Sequence, residues 1–542
     1  MISISLYNVT LILGARSIFQ DLSWEIQHDQ KVGLIGPNGA GKSSLLKLMI
    51  GEYNSEAGGG VTRAKGISVG YLPQQPDLDP SLTAFQAALQ GNPRVAELSK
   101  TLDDIEKSLG EPIIFNNPKK LSHLIEKQQE LILEYEALGG ENYPKLVRQM
   151  LVGLGLDEGE FGKTLSVLSG GQKKLVCLAR LLLAKPSVLL LDEPDNHLDL
   201  PGKAFLEHLI GDYPGSVILI SHDRYLLDAA VTHIAEIEDG KLTTFEGDYS
   251  MYMLDKQERL LRQQRLFNVQ QREIHRLETS IKRLSLWGKL YENEKFTRRA
   301  QSMQKRLEKM DKIEKPVIDR RKMDLQLNGW RGSNKVLEML GVNKFFAAIP
   351  LLQDLNLTLW HAERVGLIGP NGSGKSVLLR MILGRDLPTA GEIILGPSVR
   401  TGYYAQEHET LNYTQTLIEA VRTTAPLSES SAVAFLLRYL FTYQQVSQKI
   451  GDLSGGERSR LQLALLVLSE ANFLLLDEPT NNLDIASAEV LETALEDFNG
   501  TVLVISHDRY FLDEVVDRLL VIEEGYLVDY QGNYADYLAR KG

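Results

Sequence analysis

The sequence has a single cysteine, Cys177, among its 542 residues. One cysteine excludes an internal disulfide, and it cannot by itself hold zinc or an iron–sulfur cluster. No apolar run approaches the roughly 20 uninterrupted residues that a membrane-spanning helix needs, so we expect no bilayer crossing. Residues 1–9 lack the basic stretch and the small-residue cleavage pattern of a secretory signal, which favours a cytoplasmic location.

The composition is that of a globular chain, with 43% hydrophobic, 24% charged and 7% aromatic residues. This balance excludes a fibrous or largely disordered protein. At about 100–200 residues per domain, the length predicts about three to five structural units.

Positive charge is scarce overall, because 59 basic residues face 71 acidic ones and the net charge is −12. The segment 251–325 is the exception, with 20 basic and 11 acidic residues and a net charge of +9, which leaves −21 for the rest. A basic segment between acidic bodies indicates a polyanionic partner that contacts this segment alone.

The chain contains an internal duplication. The pattern Lys/Arg-Val-Gly-Leu-Ile-Gly-Pro-Asn-Gly-x-Gly-Lys-Ser spans residues 31–43 and 364–376, and Leu-Ser-Gly-Gly follows at 168–171 and 453–456. In both copies the serine of Leu-Ser-Gly-Gly precedes the glutamate of an Asp-Glu pair by 24 residues, and a histidine lies 29 residues beyond that glutamate. The first copy carries 48 extra residues with helical periodicity, which predicts an enlarged helical subdomain at about 80–150.

A glycine-rich loop follows an apolar, strand-like run in each copy. Glycines let backbone N–H groups wrap phosphates, and the helix that follows presents its positive N-terminal end to them. We predict that Lys42 and Lys375 contact the β- and γ-phosphates of a nucleotide and that Ser43 and Ser376 bind Mg²⁺.

An Asp-Glu pair ends a second apolar run in each copy, at Asp192-Glu193 and at Asp477-Glu478. Ligands of open α/β sheets bind at the carboxyl ends of the strands. We predict that the aspartates hold the metal through water and that the glutamates polarise the attacking water. Alone, such a pair is often a solvated turn, but its place after a phosphate loop favours catalysis.

His222 and His507 close a further apolar strand at matched positions. A lone histidine at a strand end is more often structural, whereas two at identical offsets in a phosphate-binding duplication favour contact with the γ-phosphate. Gln74 and Gln406 lie 32 and 31 residues after the loop lysines, and we predict that they sense Mg²⁺ and the attacking water.

The Leu-Ser-Gly-Gly segments open amphipathic helices, so their backbone amides form a second anion-binding helix start in each copy. One nucleotide does not need two such sites from one domain, and we infer that each segment completes the site of the opposite copy. This ordered set of motifs resembles the ABC ATPases. The resemblance implies an α/β fold with two ABC-type nucleotide-binding domains of the P-loop NTPase fold, each with a helical subdomain, that pair head to tail around ATP.

The segment between the two domains has the pattern of two helices. Apolar residues recur every seven residues from Leu260 to Ile281 and at steps of four and three from Phe296 to Met310. The stretch 286–293 interrupts the pattern. We therefore expect an antiparallel α-helical hairpin whose first helix covers about 254–284 and is about 45 Å long.

The outer faces of this predicted hairpin carry many basic residues, and Trp287 and Tyr291 lie near its turn. A solvated coiled coil with a mixed-charge surface is one interpretation. The excess of positive charge favours contacts with RNA phosphates, bases and sugars.

Tandem ATPase domains with a basic hairpin between them resemble the ABC-F family of translation factors. Residues 297–310 are similar to the family's second linker helix, 196–199 and 481–484 to its Asn-His-Leu-Asp segment, and 247–249 and 532–534 to its Gly-Asn-Tyr ends. The resemblance implies that the hairpin enters the ribosomal exit site near peptidyl-site tRNA, contacts rRNA and tRNA, and is released on ATP hydrolysis. Some members protect the ribosome and confer antibiotic resistance, and the sequence does not choose between these roles.

Three positions depart from the family pattern. Asp195 stands where the family usually has Thr, and Asn482 stands where it usually has His. An aromatic residue that stacks on adenine is expected at Phe346, but the corresponding residue of the first copy is Leu13. Leu13 and Asp195 predict weaker nucleotide binding in or near the first site, and hence two unequal sites.

The predicted site residues form four groups. The catalytic residues are Glu193, Glu478, His222 and His507. The ATP-binding residues of the first copy are Gly36, Pro37, Asn38, Gly39, Ala40, Gly41, Lys42, Ser43, Ser44, Gln74, Ser169, Gly170, Gly171 and Asp192. Those of the second copy are Phe346, Gly369, Pro370, Asn371, Gly372, Ser373, Gly374, Lys375, Ser376, Val377, Gln406, Ser454, Gly455, Gly456 and Asp477. The residues predicted to hold Mg²⁺, partly through water, are Ser43, Gln74, Asp192, Ser376, Gln406 and Asp477. The RNA-binding residues are Arg276, Lys282, Arg283, Trp287, Lys289, Tyr291, Arg298, Arg299, Lys305 and Arg306.

Two other classes stay open at this point. A tandem ATPase subunit of an ABC importer needs no basic hairpin and would copurify with a permease. A non-catalytic RNA-binding scaffold would not need both Glu193 and Glu478. We therefore expect an ATPase that uses ATP and Mg²⁺, binds the ribosome without membrane or permease, and is a monomer with domains 1–250, 251–325 and 326–542.

Overall fold

A computed structural model describes residues 2–14, 16–56, 58–74, 76, 78–109, 118–196, 198–290, 294–310, 323, 325–327, 329–346, 349–406 and 408–541. The chain forms two compact units, of which one comprises Met1–Asp248 with Met323–Gly542 and the other comprises Tyr249–Lys322. Both copies of the duplication therefore belong to the first unit, and the basic segment forms the second.

A six-stranded sheet is the centre of each copy. In the first copy the strands lie in the order Val69–Leu72, Val188–Asp192, Ser216–Ile220, Lys31–Ile35, His233–Glu238 and Lys241–Glu246. In the second copy the order is Thr401–Tyr404, Phe473–Asp477, Thr501–Ile505, Arg364–Ile368, Arg518–Glu523 and Tyr526–Gln531. The last two strands of each sheet pair antiparallel and the others pair in parallel. The strands before the Asp-Glu pairs and the histidines are buried on both faces, which is why they are continuous apolar runs in the sequence.

A three-stranded antiparallel sheet accompanies each six-stranded sheet. The orders are Arg16–Gln27, Ile2–Leu13, Gly60–Arg63 and Ile349–Trp360, Lys335–Phe346, Ala390–Leu395. In the first copy its buried residues, such as Ile4 and Leu6, share one core with Leu45 and Leu46 of the helix that follows the glycine loop. The small sheet therefore fixes the position of the phosphate-loop helix.

Helices surround these sheets and agree with the predicted helical segments. In the first copy they are Lys42–Ile50, Ala84–Leu89, Pro93–Leu109, Pro118–Ala137, Tyr143–Gly153, Gly170–Ala184, Leu200–Gly211 and Arg224–Ala230, with short 3₁₀ turns at Gly140–Asn142 and Glu158–Glu160. In the second copy they are Lys375–Ile382, Leu417–Thr424, Glu429–Arg438, Tyr443–Val446, Gly455–Leu468, Ile485–Glu496, Arg509–Val515 and Tyr534–Lys541, with a 3₁₀ turn at Ile450–Asp452. The additional residues of the first copy form the longer pair Pro93–Leu109 and Pro118–Ala137, joined by an ion pair of 2.8 Å between Arg94 and Glu134.

The second unit contains the helices Tyr249–Leu290 and Glu294–Glu308. They run antiparallel, because the Trp287 and Phe296 rings lie 6.0 Å apart while Arg306 lies 3.6 Å from Glu273. The predicted hairpin is therefore confirmed. The predicted end of its first helix near residue 284 is wrong, since the helix has 42 residues and is about 63 Å long. The interruption of the heptad pattern after Leu284 does not stop the helix, because Trp287 continues the packing with Phe296 of the second helix.

Apolar residues of the hairpin seam are partly buried, and Leu284 and Ala300 are buried. The basic residues on the outer faces are exposed. Long as it is, the first helix is too polar for a lipid environment, and no helix in the described ranges is long and apolar enough to cross a membrane.

Candidate nucleotide sites

The two glycine-rich loops have backbone conformations that require glycine. Gly36 has φ of 146°, and a Cβ there would lie 2.3 Å from the Ile237 carbonyl oxygen. Gly41 has φ of 98°, and its Cβ would lie 2.5 Å from the Ile18 side chain. Gly369 and Gly374 in the second copy have nearly the same φ values, 157° and 96°. The close approach of each loop to its sheet therefore leaves the start of the following helix open to a phosphate.

The loop lysines lie inside their loops. Lys42 Nζ donates to the carbonyl oxygens of Gly36 at 2.7 Å and Pro37 at 3.2 Å. Lys375 makes the matching contacts at 2.8 and 2.9 Å. Burial lowers the pKa of both lysines, while the nearby glutamates Glu193 and Glu478 oppose the shift. Each ammonium is thus enclosed by carbonyl oxygens at the place where a phosphate would meet the loop.

Both predicted catalytic glutamates have a left-handed backbone, which no motif in the sequence indicated. Glu193 has φ of 51° and Glu478 has φ of 50°. The N–H of each donates at 2.9 Å to the last residue of the neighbouring strand, to Ile220 in one copy and to Ile505 in the other. This conformation costs a non-glycine residue about 1–2 kcal/mol, and such strain is concentrated at functional sites.

The side chains of the two glutamates have different partners. Glu193 Oε2 accepts from Asn196 Nδ2 at 2.7 Å and from Gln74 Nε2 at 3.4 Å. Glu478 Oε2 accepts from the backbone N–H of His507 at 3.2 Å. Burial raises the pKa of Glu193, and burial with the adjacent Asp477 charge raises the pKa of Glu478 to about 7. The two sites are therefore similar in residue type but not in hydrogen bonding.

His222 and His507 lie beside these glutamates. The Nε2 to Oε1 distance is 3.8 Å between His222 and Glu193 and 3.4 Å between His507 and Glu478. Burial and the Lys42 charge lower the pKa of His222 to about 3, and burial with Lys375 and Lys203 lowers that of His507. Both imidazoles are thus neutral near pH 7 and can offer one N–H donor to a phosphate oxygen.

The donor atoms near each Asp-Glu pair fit Mg²⁺. Asp192 Oδ2 and Asp477 Oδ1 are, within the described residues, buried without a hydrogen-bond partner. Burial raises the pKa of Asp192 and Asp477, while their interactions with the Ser43 and Ser376 side chains oppose the shift. A carboxylate beside a serine hydroxyl provides the hard oxygen ligands that Mg²⁺ prefers.

The two copies meet head to tail. The Asn38 N–H donates to Asp484 Oδ2 at 3.0 Å and its side chain donates to the Asn482 carbonyl at 3.1 Å. At the other interface, the Asn371 N–H donates to Asp199 Oδ2 at 3.3 Å. The predicted pairing of each phosphate loop with the opposite copy is therefore present in the fold.

The Leu-Ser-Gly-Gly segments face the opposite loops. A Cβ on Gly456 would lie 2.9 Å from Asn38 Nδ2. Ser169 and Ser454 each cap their helix and form a capping box with the third helical residue. Glu457, which replaces Gln in the second copy, keeps this box through Oε2 contacts with Ser454.

A cavity of about 1190 Å³ lies at the interface of the two copies. Its lining includes many of the predicted second-site residues and the Leu-Ser-Gly-Gly segment of the first copy. These residues are Gly372, Gly374, Lys375, Ser376, Val377, Gln406, Asp477, Glu478, His507, Ser169, Gly170 and Gly171. Gln74 and His222 of the first site also line it. Phe346 lies instead at the end of its strand, with 53% of the residue exposed.

Asp195 has a different environment from the one that the sequence suggested. The expected effect was that of an added negative charge near the first nucleotide. Asp195 is buried, and burial raises its pKa to about 6 although the Lys203 ammonium opposes the shift. Lys203 thus offsets the charge of Asp195 in part, and weaker binding at the first site stays a prediction.

Two buried lysines were missed from the sequence. Lys174 Nζ donates to the Glu193 carbonyl at 2.6 Å, and Lys203 Nζ donates to the His507 carbonyl at 2.8 Å. The equivalent residues of the second copy are Ser459 and Ala488. A residue-by-residue alignment of the two copies would have shown both differences.

The predicted RNA-binding residues lie on the hairpin. Nine of the ten belong to its two helices and are exposed, whereas Tyr291 lies outside the described residues, as does His197 of the first Asn-His-Leu-Asp segment. Arg283 lies 5.4 Å from the Trp287 ring centroid, and Arg298 pairs with Glu294 at 2.9 Å.

Comparison with known proteins agrees with this arrangement. A family model described as ABC transporter matches residues 19–196 and 352–481, and a second model with that description matches 235–327. Energy-dependent translational throttle protein EttA of Haemophilus influenzae is 35% identical over 96% of this chain and 92% of that protein. ABC transporter F family member 5 of Arabidopsis thaliana is 32% identical over 99% of this chain and 77% of that protein. An archaeal ribosome recycling factor, solved with a ribosomal stalk protein, has 18% identity and a TM-score of 0.59 over 98% of this chain and 92% of that chain, which shows a shared fold.

Paired phosphate loops, opposed Leu-Ser-Gly-Gly segments and Asp-Glu strand ends define an ATP-binding cassette ATPase, which binds and hydrolyses ATP. The sequence identity to these two relatives, over nearly the whole chain, narrows this class to one family. The chain belongs to the ABC transporter F family.

Proposed function

We propose that this ATPase is a ribosome-binding translation factor whose basic hairpin contacts rRNA and peptidyl-site tRNA. The observation that carries the proposal is the hairpin surface, where 14 basic and six acidic residues lie on two helices that are about 63 Å and about 22 Å long. All of these basic residues except Lys256 are exposed. RNA phosphates attract such a surface, and the acidic remainder of the chain repels them.

The relatives support this assignment by what they are called. The similar Haemophilus influenzae protein is named an energy-dependent translational throttle. A factor that works on ribosomes is expected in the cytoplasm. Antibiotic resistance by ribosome protection stays a prediction.

We further propose two composite ATP sites. The first combines Lys42, Ser43, Glu193 and His222 with Ser454 and Gly456, and the second combines Lys375, Ser376, Glu478 and His507 with Ser169 and Gly171. Asp192 with Ser43 and Gln74, and Asp477 with Ser376 and Gln406, would hold Mg²⁺. When bound, Mg²⁺ neutralises charge on the β- and γ-phosphates. We keep the domain limits 1–250, 251–325 and 326–542 as part of the proposal.

The chain's own groups account for hydrolysis in this scheme. The glycine loop and its lysine hold the phosphates, and the opposite Leu-Ser-Gly-Gly amides face the γ-phosphate from the other side. The buried glutamate accepts a hydrogen bond from the attacking water, and the neutral histidine donates to the γ-phosphate. Since each site needs both copies, ATP binding favours pairing of the copies, and release of phosphate weakens it.

A charge-reversal variant tests the hairpin. Arg298, Arg299, Lys305 and Arg306 are exposed on its second helix, and all four are changed to Glu. Each lost phosphate contact lowers the log–log salt slope of ribosome binding by about one unit, so affinity falls by orders of magnitude at moderate salt. Binding is measured by sedimentation with purified ribosomes across a salt titration.

A matched control separates the hairpin from total charge. Changing Lys65, Lys241, Arg422 and Lys449 to Glu gives the same change in net charge, and these residues are exposed in the nucleotide-binding unit. Equal loss of ribosome binding in the two variants contradicts the proposed role of the hairpin. ATPase activity without ribosomes is expected to persist in both.

A further inference from the structure

Lys203 is a buried lysine at the interface between the two copies. Lys203 belongs to the helix Leu200–Gly211, and 7% of its surface is exposed. The equivalent position in the helix Ile485–Glu496 is Ala488. The two copies therefore differ at this point by a full charge.

The Lys203 ammonium joins the turns that carry the two histidines. Its Nζ donates to Asp223 Oδ2 at 2.8 Å, and Asp223 directly follows His222. The same Nζ donates to the carbonyl oxygen of His507 at 2.8 Å. One side chain of the first copy thus contacts the histidine turn of each nucleotide site.

Carboxylates keep this lysine charged. Burial opposes its charge, but Asp223, Asp195 and Asp508 outweigh burial and raise the pKa of Lys203. Asp223 and Asp508 occupy equivalent positions in the two copies, and burial with the Asp223 charge raises the pKa of Asp508. Lys203 balances this pair together with Arg509, which lies 3.7 Å from Asp223, and Arg224, whose charge opposes the rise in the pKa of Asp508. A second lysine from the other copy would add a like charge in a buried place.

Asp195 and Lys203 also occur together in the duplication. The first copy has both residues, whereas the second has Thr480 and Ala488 at the two positions. Asp195 is the residue that departs from the usual Thr. The departure and the lysine are thus two buried opposite charges, and each favours the ionised form of the other, while the ion pair of Lys203 is with Asp223.

The backbone turn at His507 contacts Glu478, the predicted catalytic glutamate of the second site. The His507 N–H donates to Glu478 Oε2 at 3.2 Å, and Lys203 fixes the carbonyl oxygen of the same residue. In the first site, Glu193 Oε2 accepts instead from Asn196 and Gln74. The orientation of Glu478 therefore depends on a contact from the opposite copy.

We propose that Lys203 is a positioning residue of the second ATP site, supplied in trans by the first copy, and that it makes the two sites unequal. The inference rests on the proposed assignment of Glu478 and His507 to that site. Lys203 acts through the His507 main chain and does not itself touch the nucleotide.

The test measures each site alone. E193Q silences the first site and reports the second, and E478Q does the opposite. The double substitution Asp195→Thr with Lys203→Ala gives the first copy the residues of the second and removes one buried carboxylate together with the lysine, while Arg509 remains 3.7 Å from Asp223. In the E193Q background we expect kcat to fall about tenfold, as for loss of one charge-assisted hydrogen bond, with KM for ATP within about twofold. In the E478Q background we expect a smaller fall in kcat, because Lys203 reaches the His222 turn only through the Asp223 side chain.

Moving Asp195 and Lys203 to the equivalent positions of the second copy gives a second test, whose expected result differs from that of a purely structural role. Asp195→Thr, Lys203→Ala, Thr480→Asp and Ala488→Lys together move these two charges to the second copy. We expect kcat of the first site to rise while that of the second stays low. Equal effects at the two sites in the double substitution, or no change at the first site after transposition, overturn the proposal.

The parent variants separate this proposal from the assignment of the sites. E193Q/E478Q is expected to have lost nearly all ATPase activity. If this double variant still hydrolyses ATP, the assignment of the glutamates is wrong. If it is inactive and the Lys203 variants behave as wild type at the second site, the positioning role alone is wrong.

Discussion

Lys174 Nζ lies 2.6 Å from the carbonyl oxygen of Glu193, so a buried ammonium holds the main chain of the first predicted catalytic glutamate. Burial lowers the pKa of Lys174, while Glu193, Asp195 and Asp192 oppose the shift. The second copy has Ser459 at this position. Both buried lysines that support the two glutamates thus come from the first copy, one acting within its own domain and one across the interface.

Lys174→Ser, which introduces the residue of the second copy, is expected to lower kcat of the first site about three- to tenfold. The lost hydrogen bond frees the Glu193 main chain, whose left-handed conformation needs support. ATP turnover in the E478Q background measures the effect. Lys185→Ser, at the exposed end of the same helix, is the control and should leave turnover unchanged.

Replacing both glutamates, Glu193→Gln and Glu478→Gln, should keep ATP binding and slow hydrolysis by about 10²-fold or more, because the amides cannot take part in activating water. The two copies then stay paired around ATP. Sedimentation through sucrose with ATP should find more of this variant on ribosomes than wild type. A double variant no more ribosome-associated than wild type contradicts the link between hydrolysis and release.

The single variants Glu193→Gln and Glu478→Gln should retain different ATPase rates. Glu193 accepts hydrogen bonds from side chains, whereas Glu478 accepts one from a backbone N–H. The first copy also has Leu13 where the second copy has the aromatic Phe346. Residual turnover at saturating ATP compares the two sites. Equal rates in the two variants contradict their inequality.

Glu492→Ala should destabilise the paired copies. Arg224 of the first copy makes a buried ion pair with Glu492 of the second and stacks on Tyr510, with the guanidinium carbon 3.8 Å from the ring centroid. Removing one partner of a buried pair leaves an unbalanced charge and costs about 3–5 kcal/mol.

Thermal unfolding of the nucleotide-free protein measures this loss. Glu496→Ala, on an exposed position of the same helix, is the matched control and should change stability by less than about 0.5 kcal/mol. A melting temperature of Glu492→Ala equal to that of Glu496→Ala shows that the ion pair adds nothing to the pairing of the copies.

The sequence by itself determined the parts whose chemistry is local. A glycine loop before a helix, an Asp-Glu pair after a buried strand and a seam repeating every seven residues each have one physical interpretation at short range. The duplication then implied two domains, and the +9 segment between them implied a polyanionic partner. These signals predicted three of the strands in each copy, the helices that follow the glycine loops and the Leu-Ser-Gly-Gly segments, the enlarged helical subdomain and the antiparallel hairpin.

Tertiary structure decided what depends on residues far apart in the chain. Asp195 looked like an extra negative charge, but the buried Lys203 ammonium offsets it in part, and Lys203 contacts a carbonyl 304 residues away. The hairpin helix continued to Leu290, because Trp287 packs against Phe296 of the second helix beyond the heptad seam. A buried charge destabilises or stabilises its surroundings according to the charged and polar groups that folding brings within a few ångströms of it. Pattern and spacing in the sequence do not specify those distances.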